Sequence, residues 1–248
     1  MKIGAQLYTV REFCKTKEGL GETLQRIADI GYQTVQVSGT CEYDPAWLAN
    51  ELKKTGLRCV LTHIPKDKLL ENPRQVAQDH QVFDCDYVGL GSFSFREPEK
   101  NLEEFLHLFT PVAEAIKGQG KYFMYHNHAK EFQKIGGKTV LEHLAQGLPA
   151  NAMGFTLDTY WAQFAGADPA DWIQRLSGRV PCIHLKDQTF DQKMAVIGEG
   201  NINFDRVFMS AEQAGTQYML VEQDDCNGEN PFDCLKRSYE FLRSRGFE

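Results

Sequence analysis

Residues 154–187 read GFTLDTYWAQFAGADPADWIQRLSGRVPCIHLKD, and this stretch contains the pattern that repeats along the whole chain. The apolar run Gly154–Asp158 predicts a strand, the amphipathic run 168–177 predicts a helix, and Cys182–Lys186 predicts the next strand. Gly178 stands where the helix should end, a position that favours a left-handed residue. Since a strand feeds a helix that feeds another strand, the two strands are expected to run parallel.

The same alternation occurs eight times in 248 residues, which leaves about 31 residues for each unit, close to the roughly 30 that such a unit needs. The predicted strands are Ile3–Tyr8, Thr34–Ser38, Cys59–His63, Tyr87–Leu90, Tyr122–His126, Gly154–Asp158, Cys182–Lys186 and Tyr218–Glu222. The predicted helices cover 17–30, 44–55, 67–82, 99–118, 138–147, 168–177, 203–214 and 231–245. The predicted α/β fold is a single (β/α)8 TIM barrel, one domain over residues 1–248. A doubly wound open sheet is the alternative, and it is weakened because no GxGxxG or GxxxxGK[ST] follows any strand.

Composition narrows the classes of partner. The chain carries 27 Lys and Arg against 34 Asp and Glu, a formal net charge of −7, which argues against nucleic acid or an anionic membrane as the main partner. No apolar run is long enough to span a membrane, and the first residues lack a signal-peptide pattern. The seven cysteines are odd in number and contain no CxxC, as expected of reduced thiols. We therefore expect a soluble cytoplasmic protein, and the sequence leaves open a homodimer.

Polar side chains gather at the predicted strand ends. In a TIM barrel the chemistry lies at the carboxyl ends of the strands. Four successive strands end on or beside His126, Asp158, His184 and Glu222. A buried carboxylate or imidazole is costly unless it is paired or bound. The sequence therefore predicts a divalent metal held by Asp158, His184, Glu222 and a strand-5 ligand, an oxygen-rich set with one imidazole that suits Mn²⁺, Mg²⁺ or Co²⁺ and tolerates Zn²⁺.

Other residues at the predicted mouth are candidates for binding a substrate. They are Tyr8, His63, His126, His128, Trp161 and Lys186. Trp161 closely follows Asp158 and could form an apolar wall over a sugar ring, whereas Lys186 could polarise a substrate oxygen. No phosphate cradle is visible, and Arg96 and Lys186 are the only mouth-side cations, which favours a neutral sugar, an inositol derivative or a keto acid.

Taken together, these motifs resemble the xylose-isomerase-like sugar phosphate isomerase/epimerase family, which shares its barrel with endonuclease IV. The resemblance covers essentially the whole chain. The motifs that carry it are Ile3–Tyr8, Tyr125–His128 with Glu131-Phe132, Leu157–Thr159, Ile183–Asp187, Gly198–Ile202 and Val221-Glu222. The family implies a (β/α)8 barrel with one divalent metal held by Glu, Asp, His and Glu from strands 5 to 8.

One of the four implied ligands departs from the family pattern. Asp158, His184 and Glu222 match the ligands of strands 6 to 8, but many relatives have Glu where this chain has His126. Glu131 is the nearest carboxylate, and we expect it to be the fourth ligand, with His126 or His128 as the alternative.

A second departure concerns endonuclease IV, whose relatives carry extra His and Asp ligands for a three-zinc cluster. The matching places here read Trp161 and Gln192-Lys193-Met194-Ala195, so the resemblance does not extend to DNA repair.

The resemblance implies an isomerase or epimerase of a sugar or related hydroxy-carbonyl compound. Its metal-stabilised enediolate would form and collapse by proton transfer through Glu131 and Glu222. The alternative is a metal-dependent dehydratase or lyase of an inosose- or dehydroshikimate-like substrate, which opens with the same proton abstraction. A third, non-catalytic interpretation is a metal-dependent sugar-binding protein.

Overall fold

Eight parallel strands close into a barrel in the computed structural model of the chain, which describes residues 1–248. The strands are β1 (Lys2–Gln6), β2 (Thr34–Val37), β3 (Arg58–His63), β4 (Tyr87–Leu90), β5 (Tyr122–His126), β6 (Met153–Asp158), β7 (Cys182–Leu185) and β8 (Tyr218–Val221). Each strand pairs with its neighbours in chain order, and β1 pairs with β8, so that Lys2–Ala5 lie beside Tyr218–Val221. The predicted TIM barrel is confirmed.

Ten helices surround the strands. They are α1 (Lys17–Ile30), α2 (Pro45–Thr55), α3 (Lys66–Glu71), α4 (Pro73–Val82), α5 (Pro98–Lys117), α6 (Val140–Gly147), α7 (Thr159–Phe164), α8 (Pro169–Arg175), α9 (Phe204–Gln213) and α10 (Pro231–Ser244). Short 3-10 helices cover Leu7–Phe13 and Ala129–Phe132, and short antiparallel pairs join Lys134–Ile135 to Lys138–Thr139 and Asp187–Gln188 to Met194–Ala195. None of these helices combines the length and apolar character needed to cross a membrane.

Two predicted elements differ from the structure for local reasons. The helix expected over 67–82 is two helices, because the residue before Pro73 is held out of the helical region and Asn72 caps the second helix through Gln75 N–H. The chain after β6 also forms an additional helix, α7, before the predicted α8, because the Asp158 side chain accepts a hydrogen bond from Trp161 N–H and caps it.

The buried apolar side chains form two clusters, one outside the strands and one inside the barrel below the polar residues of its carboxyl end. A large apolar layer of 56 buried residues lies between the strands and the helices. A smaller cluster contains Val60, Leu61, Met124, Cys182, Tyr218 and Leu220. Since Met124 shares a strand face with His126, and Cys182 with His184, the smaller cluster fills the lumen below those histidines. All seven cysteines are free.

Candidate metal centre and substrate cavity

Four side chains meet at the carboxyl end of the barrel. His126 ends β5, Asp158 ends β6, His184 lies in β7 and Glu222 directly follows β8. Register explains the meeting, because Asp158 pairs with His184 across β6 and β7. One nitrogen or oxygen from each of the four residues lies within 4.8 Å of the others, and all four are buried. The structure therefore brings together three of the expected ligands and one of the alternative ligands of strand 5.

Hydrogen bonds to the outer nitrogens orient both imidazoles. His184 Nε2 lies 2.7 Å from the side-chain oxygen of Gln36, and His126 Nδ1 lies 2.9 Å from the carbonyl oxygen of Gly91. Both partners accept, so the outer nitrogen of each ring carries a proton. The inner nitrogens then present lone pairs to the cluster, which is the arrangement that metal-binding histidines adopt.

The inner nitrogens face carboxylate oxygens at short range. His126 Nε2 lies 3.1 Å from Asp158 Oδ2, and His184 Nδ1 lies 2.8 Å from Glu222 Oε2. His184 Nδ1 is buried and has no hydrogen-bond partner, whereas Glu222 Oε2 also contacts the Lys186 ammonium at 2.9 Å. Lone pairs that face each other at such distances need a positive charge between them, either a proton or a metal ion. The four residues fit a divalent metal on this observation, with two nitrogen and two oxygen donors.

Asp158 is positioned from both sides. Its Oδ1 accepts from Trp161 N–H at 3.0 Å, and its own backbone N–H donates to Asn127 Oδ1 at 3.1 Å. The first bond caps α7, so that Oδ2 is left to face the cluster. The Asp-Thr-Tyr-Trp stretch after β6 thus serves both to start a helix and to aim a carboxylate.

The ammonium of Lys186 lies among three carboxylates. Its Nζ is 3.2 Å from Asp158 Oδ2, 2.9 Å from Glu222 Oε2, and 2.9 and 3.1 Å from the two oxygens of Asp224. Burial opposes the charge of this side chain, but the three carboxylates outweigh burial and raise the pKa of Lys186. Lys186 is therefore a permanent cation inside the barrel.

The carboxylates respond to the lysine in different ways. Burial would raise the pKa of Asp158 and of Glu222, but the charge of Lys186 reverses the effect and both pKa values are lowered. Burial and the neighbouring charge of Glu222 instead raise the pKa of Asp224 to about 6. Burial lowers the pKa of His63 well below its usual range and that of His128 to about 3, so both rings are neutral near pH 7.

A cavity of about 430 Å³ opens above the cluster. Five predicted substrate-binding residues line it, namely Tyr8, His63, His126, His128 and Lys186, together with Glu222. Trp161 does not line the cavity. Its ring packs 5.3 Å from that of His128, and the ammonium of Lys186 lies 5.9 Å from its centre. Trp161 therefore supports the wall from behind.

Glu131 lies away from the cluster of His126, Asp158, His184 and Glu222, although we expected it to be the fourth ligand. Its Oε1 accepts from the hydroxyl of Tyr125 at 2.5 Å and its Oε2 accepts from His128 N–H at 2.9 Å. The chain turns at His128 into a short 3-10 helix, and the Glu131 carboxylate folds back to cap that turn. Burial raises the pKa of Glu131. The alternative ligand, His126, takes the place of Glu131 in the cluster.

Two residues that were not predicted from the sequence also belong to this centre, Asp224 and Gln36. Asp224 contacts Lys186 and lines the cavity, and its alternation with Glu222 could have placed both on one face. Gln36 is a long polar side chain between Val35 and Val37 in a buried strand, and a buried amide needs a hydrogen-bond partner.

The Gly198–Ile202 motif also acquires a role from the structure. The carboxylate of Asp187 accepts hydrogen bonds from the backbone N–H groups of Gln188, Gly198, Gly200 and Ile202, at 2.8 to 3.1 Å. A Cβ at position 200 would lie 2.4 Å from Asp187 Oδ1, so that only glycine fits there. These amides bind a carboxylate of the chain itself, and the motif organises the loop beside the cavity.

The closed parallel barrel, with potential metal ligands at the carboxyl ends of its strands, places this protein among the TIM barrels with a candidate metal centre. The chain belongs to the family of xylose isomerase-like TIM barrels, because the model of that family matches residues 24–245. No match appears among curated proteins.

Solved structures with the same fold have been described. A sugar phosphate isomerase/epimerase from Parabacteroides distasonis ATCC 8503 superposes with a TM-score of 0.85 and 21% identity, over 98% of this chain and 93% of that chain. A D-allulose 3-epimerase from Methylomonas sp. gives 0.77 and 15%, over 99% and 98%. A probable 3-DHS dehydratase, AsbF, from Bacillus anthracis gives 0.73 and 18%, over 99% and 100%. At these identities the likeness establishes the fold.

Proposed function

We propose that this protein is a divalent-metal-dependent isomerase or epimerase of a sugar or related hydroxy-carbonyl compound. The observation that carries the proposal is the buried set His126, Asp158, His184 and Glu222, of which His126 and Glu222 line a cavity that also exposes charged groups. Two imidazole nitrogens and two carboxylate oxygens suit Mn²⁺, Co²⁺ or Zn²⁺ better than Mg²⁺, which prefers an all-oxygen shell. A divalent cation bound there would polarise the carbonyl oxygen of a substrate.

The remaining chemistry belongs to side chains of this chain. Glu222 removes the carbon-bound proton next to the carbonyl, since it is a buried carboxylate that lines the cavity. Lys186 places its ammonium beside the oxygen on which negative charge develops. Return of the proton to the neighbouring carbon requires an acid on the same side of the substrate as Glu222. Asp224 takes that part in place of Glu131, because it is the other carboxylate that lines the cavity.

Neutral histidines at the opposite wall complete the scheme. His63 Nε2 is buried without a hydrogen-bond partner, and its ring lies 5.3 Å from that of His126. A neutral imidazole both donates and accepts, so His63 and His128 bind the hydroxyl groups of a polyol substrate. Tyr8, 38% exposed at the rim, adds an aromatic surface to the cavity.

Dehydration is the second candidate function, and Lys186 is the feature that favours it. An ammonium beside the reacting carbons stabilises a departing hydroxyl group as well as an enediolate, and the opening proton abstraction is the same. The dehydratase-like structural neighbour shares the fold and is compatible with this alternative.

Elemental analysis tests the metal centre first. Wild type and His184→Ala are dialysed against Mn²⁺, Co²⁺ and Zn²⁺, and we expect about one metal per wild-type chain and loss of it in the variant. The same protein is then incubated in D₂O with ketoses such as D-allulose and L-ribulose. Deuterium entering a carbon position without water loss supports the isomerase, whereas release of water supports the dehydratase.

Glu222→Gln tests the base. The variant is expected to lose at least about a hundredfold in isotope exchange while its thermal unfolding stays cooperative. Near-normal exchange in Glu222→Gln would remove Glu222 from the mechanism, and metal binding without any exchange would favour a binding protein over an enzyme.

A further inference from the structure

Lys186 and the candidate metal use the same oxygens. The ammonium contacts Asp158 Oδ2 at 3.2 Å and Glu222 Oε2 at 2.9 Å. These two atoms are also the ones that face His126 Nε2 and His184 Nδ1. A metal coordinated by the four donors must therefore bind oxygens that the lysine already touches.

The charges of the centre show why the lysine lies there. Asp158, Glu222 and Asp224 carry three negative charges within contact of one ammonium, and no other Lys or Arg contacts these carboxylates. Arg11 donates only to the backbone oxygen of Asp224. With both histidines of the cluster neutral, Lys186 leaves a formal excess of two negative charges, and a divalent cation would balance that excess. The three carboxylates thus have enough negative charge for both the Lys186 ammonium and a metal ion. Because the two cations would share oxygens, they would lie close together and repel each other strongly at low dielectric.

Asp224 offers the ammonium another place to bind. Both of its oxygens lie within hydrogen-bond distance of Lys186 Nζ, at 2.9 and 3.1 Å, whereas Asp224 is outside the four-residue donor cluster. Its side chain is 25% exposed and faces the cavity. An ammonium bound by Asp224 alone would keep a two-oxygen partner and would release the oxygens of Asp158 and Glu222.

We infer that Lys186 is an internal counter-cation that competes with the metal for Asp158 and Glu222, and that metal loading transfers its ammonium onto Asp224. This inference rests on the proposed metal centre. In the metal-free protein the lysine keeps the buried carboxylates from repelling one another. In the loaded protein it stands at the cavity wall, beside the substrate oxygen, with Asp224 as its anchor. Lys186 is therefore a positioning residue for the metal as well as a substrate contact, and it limits the metal affinity of the centre.

The test is a calorimetric titration of Mn²⁺ and Zn²⁺ into full-length, chelator-treated protein. Lys186→Met removes the charge and keeps an unbranched side chain only one atom shorter, and it is expected to bind metal at least about tenfold more tightly than wild type. Lys66→Met is the matched control, because Lys66 lines the same cavity without touching the cluster carboxylates, and its affinity is expected to stay within about twofold. Affinity in Lys186→Met that equals or falls below that of wild type would overturn the inference.

A second pair of variants covers the case in which Lys186→Met does not fold. Asp224→Asn and Asp225→Asn each remove one negative charge at adjacent positions, but only Asp224 contacts Lys186. Without its anchor the ammonium stays on the cluster oxygens, so Asp224→Asn is expected to weaken metal binding at least about tenfold more than Asp225→Asn. Equal effects in the two variants would contradict the transfer onto Asp224.

The outcomes separate this inference from the proposed function. Metal binding by wild type with no gain in Lys186→Met overturns the competition alone. Metal binding by Lys186→Met but not by wild type supports the competition and overturns the metal dependence of the wild-type protein. Absence of binding in every variant overturns both.

Discussion

His184 in β7 donates a hydrogen bond from Nε2 to the side-chain oxygen of Gln36 in β2, at 2.7 Å across the lumen of the barrel. The bond occupies Nε2, so that His184 Nδ1 is the ring nitrogen that faces Glu222 Oε2, at 2.8 Å. A residue that belongs to the opposite wall thus decides which nitrogen of His184 is available to a metal.

Gln36→Leu is expected to weaken metal binding by about 10- to 100-fold, because the His184 ring loses the partner that fixes its tautomer and orientation. Calorimetric titration with Zn²⁺ measures the change. Gln6→Leu is the control, since Gln6 is a buried glutamine of the adjacent strand whose side chain accepts only from Tyr8 N–H. Equal losses in both variants would indicate general damage to the barrel.

His126→Gln is expected to reduce metal affinity by at least about tenfold, whereas Glu131→Gln is expected to leave the affinity within about twofold. Glu131 instead holds Tyr125 and His128, so Glu131→Gln should lower the free energy of unfolding by about 1–3 kcal/mol. Metal titration and urea unfolding of both variants check the assignment. A Glu131→Gln variant that lost its metal while keeping its stability would restore Glu131 as the fourth ligand.

Asp187→Asn is expected to lower the free energy of unfolding by about 2 kcal/mol or more. Four backbone N–H groups donate to the Asp187 carboxylate, and an amide with one oxygen leaves some of these buried donors unpaired. Urea unfolding measures the loss. Asp191→Asn, an exposed position in the same loop region, is the control and should show little change.

Acidification is expected to destabilise the protein partly through His80. Burial lowers the pKa of this histidine to about 4, and its ring nitrogens are held by Thr62 and by the carbonyl of Val76. In the unfolded chain His80 has its ordinary pKa of about 6.5. Between pH 6.5 and pH 4, His80 is therefore protonated in the unfolded chain but neutral in the folded protein. The contribution of His80 is therefore intact above pH 6.5 and is lost as the pH falls towards 4, by about 3 kcal/mol in total.

Urea unfolding of wild type and His80→Gln between pH 7.5 and 4.5 isolates this effect, because the other histidines titrate in both proteins. The wild type should lose about 2–3 kcal/mol more than the variant over that range. Parallel stability profiles would show that His80 does not carry the pH dependence.

Much of the fold was predictable, because its signals are local. The strand at 154–158 and the strand at 182–185 follow from short apolar runs, and the start of α8 between them follows from Asp168-Pro169. The boundary at Pro73 was missed, although a proline inside a predicted helix is itself a local signal.

For the centre, sequence by itself determined that Asp158, His184 and Glu222 stand at strand ends, and a parallel barrel gathers strand ends at one rim. Tertiary structure decided the rest. Whether His126 or Glu131 joins them depends on how the chain turns after β5, and Tyr125 and His128 N–H draw the Glu131 carboxylate away. The pairing of His184 with Gln36 and of Lys186 with Asp224 joins residues 148 and 38 positions apart, at distances that no local pattern encodes. Periodicity reports which way a side chain faces, but only the closed barrel sets which polar groups share the space inside it.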